Sequence, residues 1–185
     1  MVKFVTVFIL LLTFLNLVVV GGLLVGITDD VGIKVKNSLT GDVFIEPAKE
    51  YNTIQNINDI LSLVQNQNSF SYSLRLTSGA TIEYEYKNVT GGKNPARASA
   101  VIAGIDPDQE KRVTNLGSRI IAGSFLEEGN SNTIVLGSSL VDGYTSGRQG
   151  TDATLGHVSV GEKVRVRLPN NNMYEFTVVG ILNSK

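Results

Sequence analysis

The stretch Phe4–Thr28, FVTVFILLLTFLNLVVVGGLLVGIT, decides the architecture, because it runs 25 residues without a charge. At ~1.5 Å per residue it forms a helix of roughly 37 Å, longer than the ~30 Å hydrocarbon core of a bilayer. Its polar exceptions, Thr6, Thr13 and Asn16, can bond backbone carbonyls or a neighbouring helix. A cleaved signal peptide is the competing reading. Against it, the stretch is too long, Lys3 is the only leading charge, and no A-x-A-like site precedes Asp29. Residues 1–28 are therefore expected to be a retained membrane span. Lys3 on one side and Asp29 and Asp30 on the other orient it with the N-terminus inside, which puts residues 29–185 outside the cytoplasm. Gly22 and Gly26 make a small-xxx-small pair at which another helix can approach, although glycines are common in membrane helices anyway.

Beyond the span, composition mostly excludes. The 185 residues suffice for one medium domain with a core, or two small ones sharing an interface. The net charge of −1 is spread along the chain, so no basic face for nucleic acid stands out. With no cysteine there is no disulfide, no thiolate zinc site and no cysteine nucleophile. A single histidine removes most metal and triad chemistry.

Periodicity then sketches an α+β domain. Asp42–Glu46 is expected as a short strand closed by Pro47. Ile54, Ile57, Leu61 and Val64 form one apolar helical stripe, with Asn52 or Thr53 as N-cap and Asn66–Asn68 as its end. Phe70–Leu76 and Ile82–Tyr86 alternate on either side of Ser78-Gly79, which predicts a β-hairpin turning there. The small-apolar run Ala98–Ile105 suits a strand covered on both faces. Asp106 as N-cap, Pro107 at the first helical position and Gln109 two residues on open a helix that Val113, Leu116 and Ile120 continue to Gly123. Thr133–Leu136 reads as a strand and Ser138–Tyr144 as a short helix. Val164, Val166 and Leu168 alternate up to the turn Pro169–Asn172, and Tyr174, Phe176 and Val178 alternate after it, a second hairpin.

Candidate chemistry is sparse. Asp106, Asp108 and Glu110 resemble a calcium loop only superficially, since the turn glycine and distant glutamate are missing and Pro107 favours helix entry. Ser138, Ser139, Asp142 and His157 can be imagined as a hydrolase triad, but there is no G-x-S-x-G elbow. Lys163, Arg165 and Arg167 put three positive charges on one strand face. An acidic partner or lipid headgroups are conceivable there, and the polar outer face of a half-buried hairpin is the default. No phosphate loop or dinucleotide glycine pattern follows a strand. Catalytic, cofactor-binding and metal residues are accordingly expected to be none, and the chain is not expected to be an enzyme. The loops 88–98, 127–132 and 143–156 are the expected interaction surface.

Taken in order, several short elements carry a resemblance. They are Gly41-Asp42-Val43-Phe44-Ile45 and Asn58-Asp59-Ile60, then Val101-Ile102-Ala103-Gly104-Ile105-Asp106-Pro107 and Ile121-Ala122-Gly123-Ser124-Phe125-Leu126. After these come Ile134-Val135-Leu136-Gly137, Val160–Val166 and Phe176–Leu182. Behind a long apolar helix, this succession resembles the MacB-like periplasmic core domain of ABC transporter permeases in the FtsX/MacB/LolC-LolE superfamily. The resemblance implies a porter-like βαβ subdomain, with Asp42–Leu76 and the strand at Phe176–Ile181 in it, plus a smaller inserted α/β subdomain. It also implies four membrane helices with this domain between the first two, a cytoplasmic ABC ATPase subunit, and a homo- or heterodimer of permeases. ATP-driven closure of the ATPase would move the outer domain as a lever on a substrate or an extracytoplasmic partner protein. The family's later helices are absent before Lys185 and a basic segment before the first helix is missing, so a stand-alone, membrane-anchored partner-binding module is the alternative.

Overall fold

The computed structural model describes residues 2–35, 41–67, 70–87, 94–144 and 154–184. The chain divides into two compact units, Met1–Ile45 and Glu46–Lys185. The first is built on one helix, α1 (Val2–Val35), which runs on through Asp29 and Asp30. Within it, Lys3–Leu23 is long and apolar enough to cross a membrane. The following Asp42–Glu46 joins no strand, and Val43, Phe44 and Ile45 stand exposed. A short apolar run becomes a strand only as one member of a pair, and among the described residues no strand pairs with it.

In the second unit α2 spans Ile57–Gln65. It starts later than either expected cap, because Asn56 takes a left-handed conformation (φ 55°, ψ 38°) that interrupts the helix. The Asn56 carbonyl accepts the first amides, from Asp59 and Ile60. Asn66 closes the helix as read from the sequence.

A six-stranded sheet forms the body of this unit. Its strands are β1 (Arg75–Tyr84), β2 (Ala96–Ile105), β3 (Ile120–Gly123), β4 (Thr133–Gly137), β5 (Lys163–Arg167) and β6 (Met173–Leu182). The expected turn at Ser78-Gly79 is overturned: β1 runs straight through both, pairing Ser78 with Ile102 and Gly79 with Val101. Ten consecutive antiparallel pairs with β2 compete against one turn, and the ladder wins. The hairpin is instead β1–β2. The strand at 98–105 is present, but it is not covered on both faces: Val101 is 77% exposed, and among the described residues β1 is its only strand neighbour.

The hairpin β5–β6 forms as expected, with Lys163 opposite Thr177 and Arg167 opposite Met173. The chain turns at Asn171, whose positive φ of 63° an asparagine tolerates. β6 is the hub. It pairs with β5 along Met173–Thr177, with β3 along Gly180–Leu182, and in parallel with β4 along Thr177–Leu182. The register with β4 steps from Ile134↔Val178 to Val135↔Gly180, so Val179 is an extra residue. That bulge resets the alternation and lets Val178 and Ile181, three apart, both be fully buried.

One face of the sheet carries the core. Ile82, Ala98, Val164, Val166, Val178, Ile181 and Leu136 are buried there together with Val141, Leu155 and Val158. Each large aliphatic contributes about 1.5–3 kcal/mol by leaving water. The short helix α3 (Pro107–Val113) is capped as read: the Asp106 side chain accepts from the amides of Asp108 and Gln109, with Pro107 at the start. It does not continue to Ile120. Thr114 turns extended (φ −127°) and bonds its amide back to the Glu110 carbonyl, and Ile120–Gly123 becomes β3. The helix expected over 138–144 is a single 3-10 turn, Ser138–Leu140.

Candidate functional site

Alternation in β5 sends Val164 and Val166 into the core and Lys163, Arg165 and Arg167 to the opposite face. The register carries that face across four strands as one charged row. Arg97 lies opposite Glu83, Glu83 opposite Arg165, and Arg165 opposite Glu175. Glu83 is only 1% exposed, although it sits on the face away from the core. What encloses it is guanidinium: Arg165 Nε donates to Oε2 at 2.7 Å, Arg97 Nε lies 3.1 Å from Oε1, and Arg167 donates to Oε1 at 3.2 Å. Arg165 also stacks over the Tyr86 ring, 4.6 Å from its centroid. Burial pushes the Glu83 carboxyl up, but the hydrogen bond and charge of Arg165, with Arg167 and Arg97, outweigh it and hold the group below the usual range.

Glu175 continues the row at its other end. Lys163 and Lys87 each reach it at 2.7 Å, and the Tyr86 hydroxyl donates to it. Those donors hold its carboxyl down at about 2. Each cation of the row read on β5 contacts a carboxylate within the sheet, Lys163 at Glu175 and Arg165 and Arg167 at Glu83. Around the two carboxylates stand five cations, Lys87, Arg97, Lys163, Arg165 and Arg167, a surplus of three. An open groove of about 680 Å³ adjoins this face, with Gly79, Thr81, Ser99 and Val101 on one side and Arg167, Leu168 and Pro169 on the other.

A second buried carboxylate ties the entry of the sheet to α3. Glu110 has no exposed surface. Ser73 Oγ donates to its Oε2 at 2.7 Å and Arg75 Nε at 3.1 Å, while the Thr114 hydroxyl donates to Oε1. Burial raises this carboxyl, and the donors, Arg75 first, more than reverse that. In the sequence Glu110 stands out only as the last acid of a superficial calcium-loop pattern. Nothing in the local pattern told of its burial, because two of its three partners, Arg75 and Ser73, lie 35 and 37 residues away.

Two glycines from the recognised elements meet in space. Gly123 pairs with Gly180 across β3 and β6. A Cβ on Gly180 would lie 2.2 Å from the Ser124 carbonyl oxygen, and one on Gly123, which has φ +75°, would lie 2.2 Å from that of Val179. The backbones cross too closely for any side chain, so both short elements mark one crossing.

The imagined triad is not assembled. Ser138 Oγ bonds Ser184 Oγ at 2.9 Å, and the Ser139 amide donates to the same Ser184 hydroxyl. Among the described residues no side-chain hydrogen bond joins His157 to Ser138, Ser139 or Asp142. Asp106 and Asp108 serve the start of α3, with Lys111 3.2 Å from Asp108. Among the described residues no group of three or more histidine or carboxylate side chains is placed to hold a metal. Of the expected interaction loops, 127–132 is an exposed turn, while 88–93 and 145–153 lie outside the described residues.

The sequence profile of the family described as MacB-like periplasmic core domain matches residues 4–185. No match is found among curated proteins.

Proposed function

The chain belongs to the MacB-like periplasmic core domain family, and from that membership we propose that it transmits ATP-driven movement of a permease to a substrate or partner outside the membrane. At the coarser level, it is a membrane protein of ABC permease type, with an apolar helix followed by a mixed helix and sheet extracytoplasmic domain. The observation that carries the reading is the extent of the match, which takes in both the apolar helix and the sheet. In this reading residues 1–28 cross the membrane and 29–185 form the outer domain. A cytoplasmic ABC ATPase subunit drives it, and permeases pair as homo- or heterodimers.

The charged row and the Glu110 contacts support a role in transmitting force. They brace the sheet and hold its first strand to α3, so a displacement is passed on rather than absorbed. The test uses the chain in membranes with and without its ATPase. A probe on Asn130→Cys, in the exposed 127–132 turn, reports energy transfer to headgroup acceptors. The reading expects a distance change on adding ATP that disappears without the ATPase. A probe indifferent to ATP, with outer-partner binding equal in both membranes, would instead establish the anchored partner-binding module.

A further inference from the structure

On the sheet face away from the core, the carboxylates lie low and the cations stand high. Glu83 is enclosed, whereas the side chains of Arg97, Lys163 and Lys87 keep 55%, 57% and 64% of their surface exposed. Three guanidinium groups, of Arg97, Arg165 and Arg167, share Glu83, and two ammonium groups, of Lys87 and Lys163, share Glu175. Each carboxylate offsets one of its cations, and the excess faces water. Counting Glu85, the next carboxylate along the chain, a surplus of two positive charges remains.

Beside the row the same face is hollow. Gly79, Thr81 and Glu83 alternate onto it from β1, and Arg97, Ser99 and Val101 from β2. Gly79 leaves a gap in this surface, and a Cβ built there would meet nothing within 4 Å. The open groove of about 680 Å³ lies over this stretch, with the exposed Val101 on one wall and Pro169 on the other. Arg167 belongs to both features, since it touches Glu83 and also lines the groove.

We propose that this face docks an acidic segment of an extracytoplasmic protein, with its carboxylates over Lys87, Arg97, Lys163 and Arg167 and an adjoining apolar side chain in the groove beside Val101 and Pro169. The proposal rests on the reading that the domain acts on a partner outside the membrane, and it names the chemistry of that partner. Geometry selects a polypeptide over a small anion. The points where the cations converge are filled by Glu83 and Glu175, so a lone phosphate finds no cradle there. What is left is a spread of partly offset cations: Arg97 and Arg165 stand two strands apart, about 9.5 Å at the usual strand spacing. Several carboxylates on one chain match that spread. A flat membrane surface would meet the same cations but leave the hollow at Gly79 empty, whereas a peptide side chain fills it. Exposed charges of this kind act mainly on encounter and orientation, so binding weakens as salt rises.

The test uses the full chain in phosphatidylcholine nanodiscs and fluorescein-labelled peptides: hexaglutamate, hexaglutamate ending in leucine, and the latter's glutamine counterpart. Fluorescence anisotropy is expected to show the leucine-ended acidic peptide bound most tightly and the glutamine peptide not bound. Lys87→Gln combined with Lys163→Gln is expected to weaken the acidic peptide by about two- to thirty-fold, the range for two exposed ion pairs. Gly79→Val fills the groove without a clash, so on that variant the two acidic peptides are expected to bind alike. Near-UV circular dichroism of each variant should match the parent chain. No binding of the leucine-ended peptide at about 1 mM, or an affinity that neither the lysine pair nor Gly79→Val changes, overturns the proposal. So does capture of phosphatidylglycerol vesicles in place of the peptide, or displacement of the peptide by inorganic phosphate at constant ionic strength. The ATP response of the Asn130→Cys probe separates the two levels. An ATP response without peptide binding overturns only the docking face, whereas peptide binding without an ATP response removes the lever and keeps the docking face.

Discussion

Replacing Glu110 by alanine removes the acceptor that Ser73, Arg75 and Thr114 share. Breaking one partner out of a buried ion pair costs about 3–5 kcal/mol, because the remaining charge is left uncompensated. Arg75 keeps 21% of its side-chain surface exposed, so water can partly resolvate it, which places the loss near the low end, about 3 kcal/mol. For a domain of this size that corresponds to a fall in Tm of about 6–12 °C. The chain has 6 tyrosines and no tryptophan, so near-UV circular dichroism of the detergent-solubilised protein in urea follows the tyrosines of the sheet domain without interference from the helix. A double-mutant cycle with Arg75→Ala is expected to return a coupling above about 1.5 kcal/mol. A Glu110→Ala loss below about 1 kcal/mol, or two single effects that simply add, would refute the claim that this contact holds the first strand to α3.

Gly79→Val tests the straight course of β1. A Cβ there meets nothing within 4 Å, so valine is expected to be neutral or to stabilise by about 0.5–1 kcal/mol in urea melts, whereas a turn glycine would make it destabilising. Gly180→Ala is expected to lower stability by more than about 3 kcal/mol, because its Cβ would lie 2.2 Å from the Ser124 oxygen; a tolerated alanine would mean that the two backbones can part. Acid should unfold the domain through its depressed carboxylates. Glu83, Glu110 and Glu175 titrate below the unfolded value of about 4.3, so their stabilisation is fully present above that pH and is lost as pH falls toward about 2, the value for Glu175. Urea midpoints measured from pH 7 to pH 2.5 should therefore be flat above pH ~5 and drop below ~4, with a shallower drop in Glu83→Gln.

How legible each part was depended on how far apart its partners lie. The β5–β6 hairpin was plain, since alternation and the Pro169–Asn172 turn are both local. So was the start of α3, where the Asp106 side chain accepts from amides two and three residues on and Pro107 begins the helix. Ser78-Gly79 misled because glycine marks turns and flat strands alike; only the distant β2 decides between them. The charged row was half visible. Lys163, Arg165 and Arg167 declare a shared face, but Glu83 and Arg97 join them only through strand register, which no local pattern encodes. Gly123 and Gly180 were recognisable as parts of short elements, while the reason for them needs both backbones in one place.

The most direct test of the account is the side of the membrane on which the sheet domain lies. In intact cells, Asn130→Cys in an otherwise cysteine-free chain is treated with a maleimide that cannot cross the membrane. The account predicts full labelling without permeabilisation, and Lys3→Cys labelled only after it. The reverse pattern would put residues 46–185 in the cytoplasm and contradict an extracytoplasmic domain.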